Sequence, residues 1–427
     1  MEGKGGAMQD GDKELLERMF AAAVAAAEPG AAMARVVPDK PKGKLVVIGA
    51  GKGAAQMAAA FEALWDGPLS GVVVTRYGFG AACRNIRILE AGHPVTDAAG
   101  EAASAALLEA VQGLSADDLV VALISGGGSA LLAAPIPGLD LSDEIALNQT
   151  LLTSGAPIGA MNAIRKMVSR VKGGRLAAAA APAKVVSLIV SDVPGDDPAE
   201  VASGPTVPGS GGREAALAAI RDYSIVLPDR VAAMLAKAEV PPAPGDPVFA
   251  RNEVHVVASA AKSLEAAAEV ARMAGFTPAI LSDAIEGEAR DVAKMHAAIA
   301  REVRRRGRPF TPPVAILSGG ETTVTLRGSG GRGGRNSEFL LAFALAIEGV
   351  DGIAAMAADT DGIDGSEDNA GAFADGQCAE RMRAAGIDPT EALARNDAWG
   401  AFEAIGNLFV TGPTGTNVND LRVIVIR

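Results

Sequence analysis

Seven apolar runs of strand length, Leu45–Ile48, Gly71–Thr75, Leu119–Ile124, Val185–Val190, Val254–Ala258, Val314–Leu317 and Val423–Ile426, recur between alanine-rich stretches of helical character. The runs are continuous rather than alternating. That pattern marks strands buried on both faces, as in parallel sheets with helices on either side. The chain is therefore expected to be α/β. In open sheets of this class ligands sit beyond the carboxyl ends of the strands, so the loops after these runs are where function is sought.

Those loops are unusually rich in glycine. The 51 glycines among 427 residues are roughly 12%, against a usual ~7%, and they show no collagen-like period, so they mark tight turns or ligand cradles. The formal charge of −12 and pI near 4.9 argue against nucleic-acid and anionic-membrane partners, because a phosphate polymer would be repelled on average. Any anion must be held locally. The basic run Arg301–Arg308 reads as a helix C-terminus complementing the dipole. Cys83 and Cys378 lack metal-site or CxxC spacing and fit two reduced thiols. Met19–Ala27 is too short to span a bilayer and lacks a basic leader, so a cytoplasmic protein is expected. The Pro/Gly-rich stretch Val240–Pro247 suggests a division into residues 1–243 and 244–427, with a turn-rich second candidate at Gly204–Gly212.

Four loops could carry chemistry. Ser318–Phe339, SGGETTVTLRGSGGRGGRNSEF, joins a strand end to a basic glycine loop and then a helix starting near Asn336. Converging amides at Ser318, Gly319, Gly320 and Glu321, bidentate arginines and the helix start would together hold anionic oxygens. KLVVIGAGKGAAQMA places Gly49, Gly51, Lys52 and Gly53 between a strand and a helix. It mimics a dinucleotide fingerprint, yet the next strand ends in Thr75 and Arg76 with no acid for a ribose hydroxyl, leaving only Arg76 for a 2′-phosphate. Lys52 better suits a cation aimed at a phosphate, with a solvated lysine in a plain connection as the alternative. Ser125, Gly126, Gly127, Gly128 and Ser129 form a second nest that is no Walker A loop, and could equally be a tight turn. In the third, Asp192 sits at a strand end and could hold Mg²⁺ or accept a proton, whereas Asp196 and Asp197 read as caps. The fourth, Asp359–Gly365, offers Asp361 as an oxygen ligand but fails as an EF-hand, since Ala370 stands at the bidentate position. His93 is the one histidine in a candidate functional loop. The strand-end echo between LVVALISGGGSA and VAILSGGETT suggests that two facing loops define an interdomain cleft.

Taken together, GAGK, AGHPVTD, SGGGSALL, NAIRKMVSRVKGGRLA, SDVPGDDPAEVASGPT, SGGETTVTL, GGRGGRNSEF, ADTDGIDG and TGPTGTNVNDL resemble the class II glycerate kinase family, the glycerate 2-kinases with a C-terminal MOFRL domain. The resemblance implies two α/β/α domains, the larger N-terminal one Rossmann-like with a mostly parallel sheet, the other containing the MOFRL region at about residues 312–420. It places ATP and D-glycerate in the cleft between them. It also implies Mg²⁺, a catalytic Lys52 and a catalytic Arg335, and brings Asn417, Asn419 and Asp420 near the site. On this reading Lys52, Asp192 and Arg335 are catalytic. Gly49, Gly51, Ser125–Ser129, Ser318–Glu321 and Asn336 hold the nucleotide, while His93, Asn162, Arg165 and Lys166 hold the substrate, and Asp192 and Asp361 serve the metal. A homodimer is among the assemblies left open. The chain departs from the family pattern at Thr96 and at Met167, where a histidine is usual. The rival readings are an NAD(P)H-dependent hydroxypyruvate reductase and a non-catalytic phosphosugar or nucleotide sensor.

Overall fold

The computed structural model describes residues 10–326 and 331–427. Residues 327–330, part of the basic glycine loop singled out above, lie outside the described residues. The chain divides into two compact units, Pro29–Val257 and a second made of Met1–Glu28 with Ala258–Arg427.

In the unit Pro29–Val257 six strands form one sheet: β1 (Leu45–Ala50), β2 (Ser70–Arg76), β3 (Ile86–Ala91), β4 (Leu119–Ser125), β5 (Lys184–Val190) and β6 (Glu253–Ala258). Their spatial order is β3-β2-β1-β4-β5-β6, and β3, β2, β1, β4 and β5 run parallel. Every residue of β1 and β4 is buried, which is why these strands carry apolar side chains on both faces. Val46, Ile48, Val120 and Ala122 pack on one face against Ala103 and Leu107 of helix Ala98–Ala110. A satellite cluster joins helices Leu141–Thr153, Ile158–Met167, Gly212–Asp222 and Asp229–Leu235 through Leu151, Ile164, Met167 and Val231. Met167 is fully buried there, so the position at which the family resemblance led to the expectation of a histidine is core in this chain.

The expected boundary at 240–247 does not separate the units. The first unit runs on to Val257 because β6 returns beside β5, where Asn252 Oδ1 accepts from the Val185 amide at 2.9 Å.

The second unit corrects the expectation of parallel strands. Its sheet comprises β7 (Thr277–Ser282), β9 (Val314–Gly320), β11 (Ile353–Asp359), β12 (Gly371–Asp375), β13 (Leu408–Phe409) and β14 (Asp420–Ile426), in the order β13-β12-β11-β14-β9-β7. Short strands β8 (Gly287–Glu288) and β10 (Thr322–Thr323) pair separately. Within the six-stranded sheet β7 and β9 pair in parallel and the other four pairings are antiparallel, while β8 and β10 pair in parallel apart from it. Helices cover both faces, so the antiparallel strands read as continuous apolar runs. Val314, Ile316 and Ile424 meet helices Ala289–Arg306 and Arg335–Ala346. Ala315, Leu317 and Val423 point the other way, to helix Ala260–Met273 and to Leu16, Met19 and Phe20 of helix Asp10–Ala26. No described helix is long and apolar enough to cross a membrane.

Candidate active site

The strand order of the first unit reverses between β1 and β4, the point at which doubly wound sheets open a ligand crevice. The two loops leaving these strands interlock. Lys52 N donates to Gly126 O at 2.8 Å and Gly51 N to Val74 O at 3.2 Å. Gly53 N donates to Ser125 Oγ at 3.0 Å, and Thr75 Oγ1 to Lys52 O at 3.1 Å. Gly51 adopts φ +139, and a Cβ there would overlap Ser125. Gly49 lies inside β1, where a Cβ would stand 2.5 Å from Leu123 O. Close packing by itself therefore accounts for glycine at positions 49 and 51. A dinucleotide fingerprint needs its loop amides turned to a pyrophosphate, and here the amides of Gly51, Lys52 and Gly53 are taken by neighbouring chain.

The loop after β4 does gather candidate groups. Gly127 is left-handed at φ +77, and a Cβ there would meet Lys52 Cγ at 2.8 Å and His93 Nε2 at 3.0 Å. A Cβ on Gly126 would overlap the Asp192 carboxylate. Glycine thus lets Lys52, His93 and Asp192 close around Gly126–Gly128. Desolvation, with the charges of Lys52 and Arg76 adding to it, pushes the His93 imidazole down to about 4. It is a neutral hydrogen-bonding ring at pH 7.

Helix Ile158–Met167 presents Asn162, Arg165 and Lys166, which its i, i+3, i+4 spacing sets on one face. They are not equivalent. Lys166, 7% exposed, forms an ion pair with Glu200 Oε1 at 2.7 Å, so its charge is offset within the chain where a substrate contact was expected. Asn162 donates through Nδ2 to Glu200 Oε2 at 2.7 Å, and its Oδ1 accepts from Arg165 Nη1 at 3.2 Å. Arg165 Nε donates to Asn148 Oδ1 at 2.9 Å. Among the described residues no carboxylate makes an ion pair with Arg165. Burial lowers its pKa, with Glu144 acting in the opposite direction. A desolvated cation that donates to amide oxygens rather than to a carboxylate keeps a charge able to receive an anion. Glu200, Asn148 and Ser203 were missed at the sequence level. Only the proximity of Glu200 to the DDP turn gave any signal.

In the second unit the expected nest at Ser318–Glu321 is not a nest. Ser318, Gly319 and Gly320 belong to β9 and pair with Arg422, Leu421 and Asp420. All three are buried, and Gly319 O accepts from Ile285 N at 3.1 Å. Glu321 remains largely exposed, with Oε1 3.7 Å from Arg335 Nη1. Arg335 opens its helix and bridges two buried acids, Nε to Asp420 Oδ1 at 2.8 Å and Nη2 to Asp359 Oδ2 at 2.5 Å. The other Asp420 oxygen accepts from Arg422 Nη2 at 2.6 Å. Burial opposes the Arg335 charge, but Asp420, Asp359 and Glu321 outweigh it and hold the guanidinium protonated. Burial raises Asp359 well above the usual carboxylate range, against the pull of Arg335.

Asn336 is fully buried and also departs from expectation. Its amide donates to Asp364 Oδ1 at 2.9 Å and its Nδ2 to Asp420 Oδ1 at 2.8 Å. Asp364 also accepts from Ser337 N at 2.8 Å, so a carboxylate of the chain itself fills the place at the helix start expected for a phosphate. Asp361 Oδ1 accepts from Ile363 N at 2.8 Å in a local turn. Among the described residues no three His, Cys, Asp or Glu side chains gather as a metal site.

His296 packs beneath this cluster, 1% exposed, with Nε2 3.0 Å from Ser318 Oγ and Nδ1 2.9 Å from Val292 O. Burial pushes it to about 4 from its ordinary 6.5. Between those values the unfolded chain binds the extra proton, so stability rises with pH through the window and is lost as pH falls from 6.5 towards 4. The loss attributable to His296 is about 3 kcal/mol. Urea unfolding at pH 7 and pH 4.5 is expected to show a smaller pH dependence in His296→Gln than in the unsubstituted chain. Equal slopes would remove His296 as the cause.

Comparison with known proteins agrees with this architecture. Residues 15–236 match the family model described as "Domain of unknown function (DUF4147)", and residues 314–420 match that of the MOFRL family. The chain is 52% identical to a "Putative hydroxypyruvate reductase" of Agrobacterium vitis, over 97% of this chain and 94% of the relative. It is 38% identical to a D-glycerate 2-kinase of Thermotoga maritima, over 97% and 98% of the two chains. A crystal structure of glycerate kinase from Thermotoga maritima superposes with a TM-score of 0.89 at 37% identity, covering 98% of this chain and 100% of that one. A full-length match to kinases in both sequence and fold, with a MOFRL region in the second unit, means that the chain is a kinase belonging to the class II glycerate kinase family.

Proposed function

We propose that this chain transfers the γ-phosphoryl group of ATP to the 2-hydroxyl of D-glycerate, with Mg²⁺, giving 2-phospho-D-glycerate and ADP. The observation that carries the reading is the convergence of Lys52, His93 and Asp192 on the Gly126–Gly128 loop at the sheet's reversal point. Phosphoryl transfer asks the protein mainly to align the two oxygens and neutralise developing charge. Lys52 supplies that charge at the loop. Arg165 receives the glycerate carboxylate, and neutral His93 hydrogen-bonds the acceptor. The 2-hydroxyl oxygen bonds to the γ-phosphorus as the bond to the β-phosphate oxygen breaks, and Asp192 takes the hydroxyl proton. Magnesium binds through one or two protein carboxylates plus substrate phosphates, a demand that Asp192 beside Gly126 fits. When bound it would screen the phosphate charge.

The name carried by the 52% identical relative favours a second reading, hydroxypyruvate reduction. The committed amides of Gly51–Gly53 and the lack of an acid at the end of β2 speak against it. ³¹P NMR of the product from ATP, Mg²⁺ and D-glycerate is expected to show a 2-phosphate ester and ADP. A 3-phosphate ester would overturn the regiochemistry, and NADPH oxidation by hydroxypyruvate without ADP formation would favour the reductase.

A further inference from the structure

Three consecutive residues, Ala202, Ser203 and Gly204, lie in the left-handed region at φ +53, +60 and +59. Crowding at Cβ makes this cost about 1–2 kcal/mol for each non-glycine residue, and such strain persists only where the surroundings over-determine it. Here they do. Gly173 N donates to Ser203 O at 3.0 Å, Gly174 N to Gly204 O at 2.7 Å and Leu176 N to Pro205 O at 3.1 Å. Ala202 packs so closely on Gly128 that a Cβ there would come within 2.6 Å of it.

What the turn accomplishes is the placement of one hydroxyl. Ser203, with no exposed surface, donates through Oγ to Asn162 Oδ1 at 2.9 Å. Its Oγ also lies 2.7 Å from Ser129 Oγ. A hydroxyl has one proton, so Ser129 is the donor in that second bond and its own oxygen is left as an acceptor. Asn162 Oδ1 in turn receives Arg165 Nη1. An unbroken chain, Ser129 to Ser203 to Asn162 to Arg165, ties the glycine loop after β4 to the guanidinium.

We propose that Ser203 is a positioning residue that sets Arg165 in register with the Gly126–Gly128 loop, and that the left-handed turn is retained for this placement. The proposal rests on the reading of Arg165 as the receptor for the acceptor carboxylate. Both recorded partners of Arg165 are neutral amides, so hydrogen bonds rather than a counter-charge fix its direction. Removing the Ser203 hydroxyl takes away the donor that orients Asn162 Oδ1. The consequence falls on recognition of the acceptor rather than on the nucleotide.

Ser203→Gly is the informative variant, because glycine accepts the left-handed φ without strain while deleting the hydroxyl. Steady-state kinetics with ATP, Mg²⁺ and D-glycerate are expected to show the KM for glycerate raised about tenfold, as for loss of a hydrogen bond to a charged group. The KM for ATP should stay within about twofold on the same reasoning. Asn148→Ala, which frees Arg165 Nε without touching the turn, should shift the same KM. Arg165→Gln should raise it further, and adding Ser203→Gly to Arg165→Gln should change it no more, since the two act as a unit. If Arg165→Gln raises the glycerate KM and Ser203→Gly does not, the positioning role is overturned. If Arg165→Gln itself leaves that KM unchanged, the receptor reading fails, and the proposal with it.

Discussion

Lys52→Met is expected to lower kcat by about 10²- to 10³-fold, the scale of removing one preorganised electrostatic group, while leaving the fold intact. The loop holds its shape through the backbone: Lys52 N on Gly126 O and Thr75 Oγ1 on Lys52 O. Neither bond involves the side chain that changes. Methionine also keeps the aliphatic stem that packs by Gly127. Because Lys52 is one of the charges depressing His93, the variant should let the imidazole titrate at a higher pH, a shift that NMR reads without turnover. Near-normal kcat with an unmoved His93 would place Lys52 outside the site.

Arg335→Met is expected to cost about 3–5 kcal/mol of stability, as for removing one partner of a buried ion pair. Asp359 and Asp420, 3% and 2% exposed, would lose the guanidinium that bridges them. The deficit should depend on pH. Asp359 is already raised by burial, and without Arg335 its ionisation becomes harder still. A folded-state carboxyl pKa raised above the unfolded value gives stability that is present at low pH and lost as pH rises through the folded value. Urea unfolding should therefore show a larger deficit at pH 8 than at pH 5. Arg335→Lys should fall between the two, since an ammonium cannot bridge both acids with a planar fork. A deficit below about 1 kcal/mol at pH 8, the scale of an exposed pair, would show that the acids do not rely on Arg335.

The parts of the site legible in the sequence were those whose chemistry is local. Lys52 among glycines after one buried strand, and Gly126–Gly128 after another, announce themselves by residue type and position. Strand direction in the second unit was not legible. Burial on both faces demands the same apolar run whether neighbours are parallel or antiparallel, so Val314–Leu317 and Val423–Ile426 looked like their counterparts in the first unit. Charge pairing was not legible either. Lys166 and Arg165 are adjacent in sequence, yet Glu200 neutralises one, while the recorded partners of the other are amides. The same holds for Asn336, whose helix start resembled an anion site until Asp364 was found in it. Partner choice depends on residues tens of positions away, and spacing does not encode it.

The second unit is built from both ends of the chain, with helix Asp10–Ala26 packed on helix Ala260–Met273 and Arg427 paired with Asp12 at 2.6 Å. This has a consequence for the order in which the molecule assembles. During synthesis the first helix emerges with Leu15, Leu16, Met19 and Phe20 and no sheet to cover them. The intervening unit has all its strands long before β14 leaves the ribosome. The apolar face of the first helix must therefore wait, solvent-exposed or shielded by a chaperone, through the translation of more than half the chain. Cells that make this protein slowly thus expose an adhesive amphipathic segment for longest, and its solubility should respond to elongation rate more than its final stability would suggest.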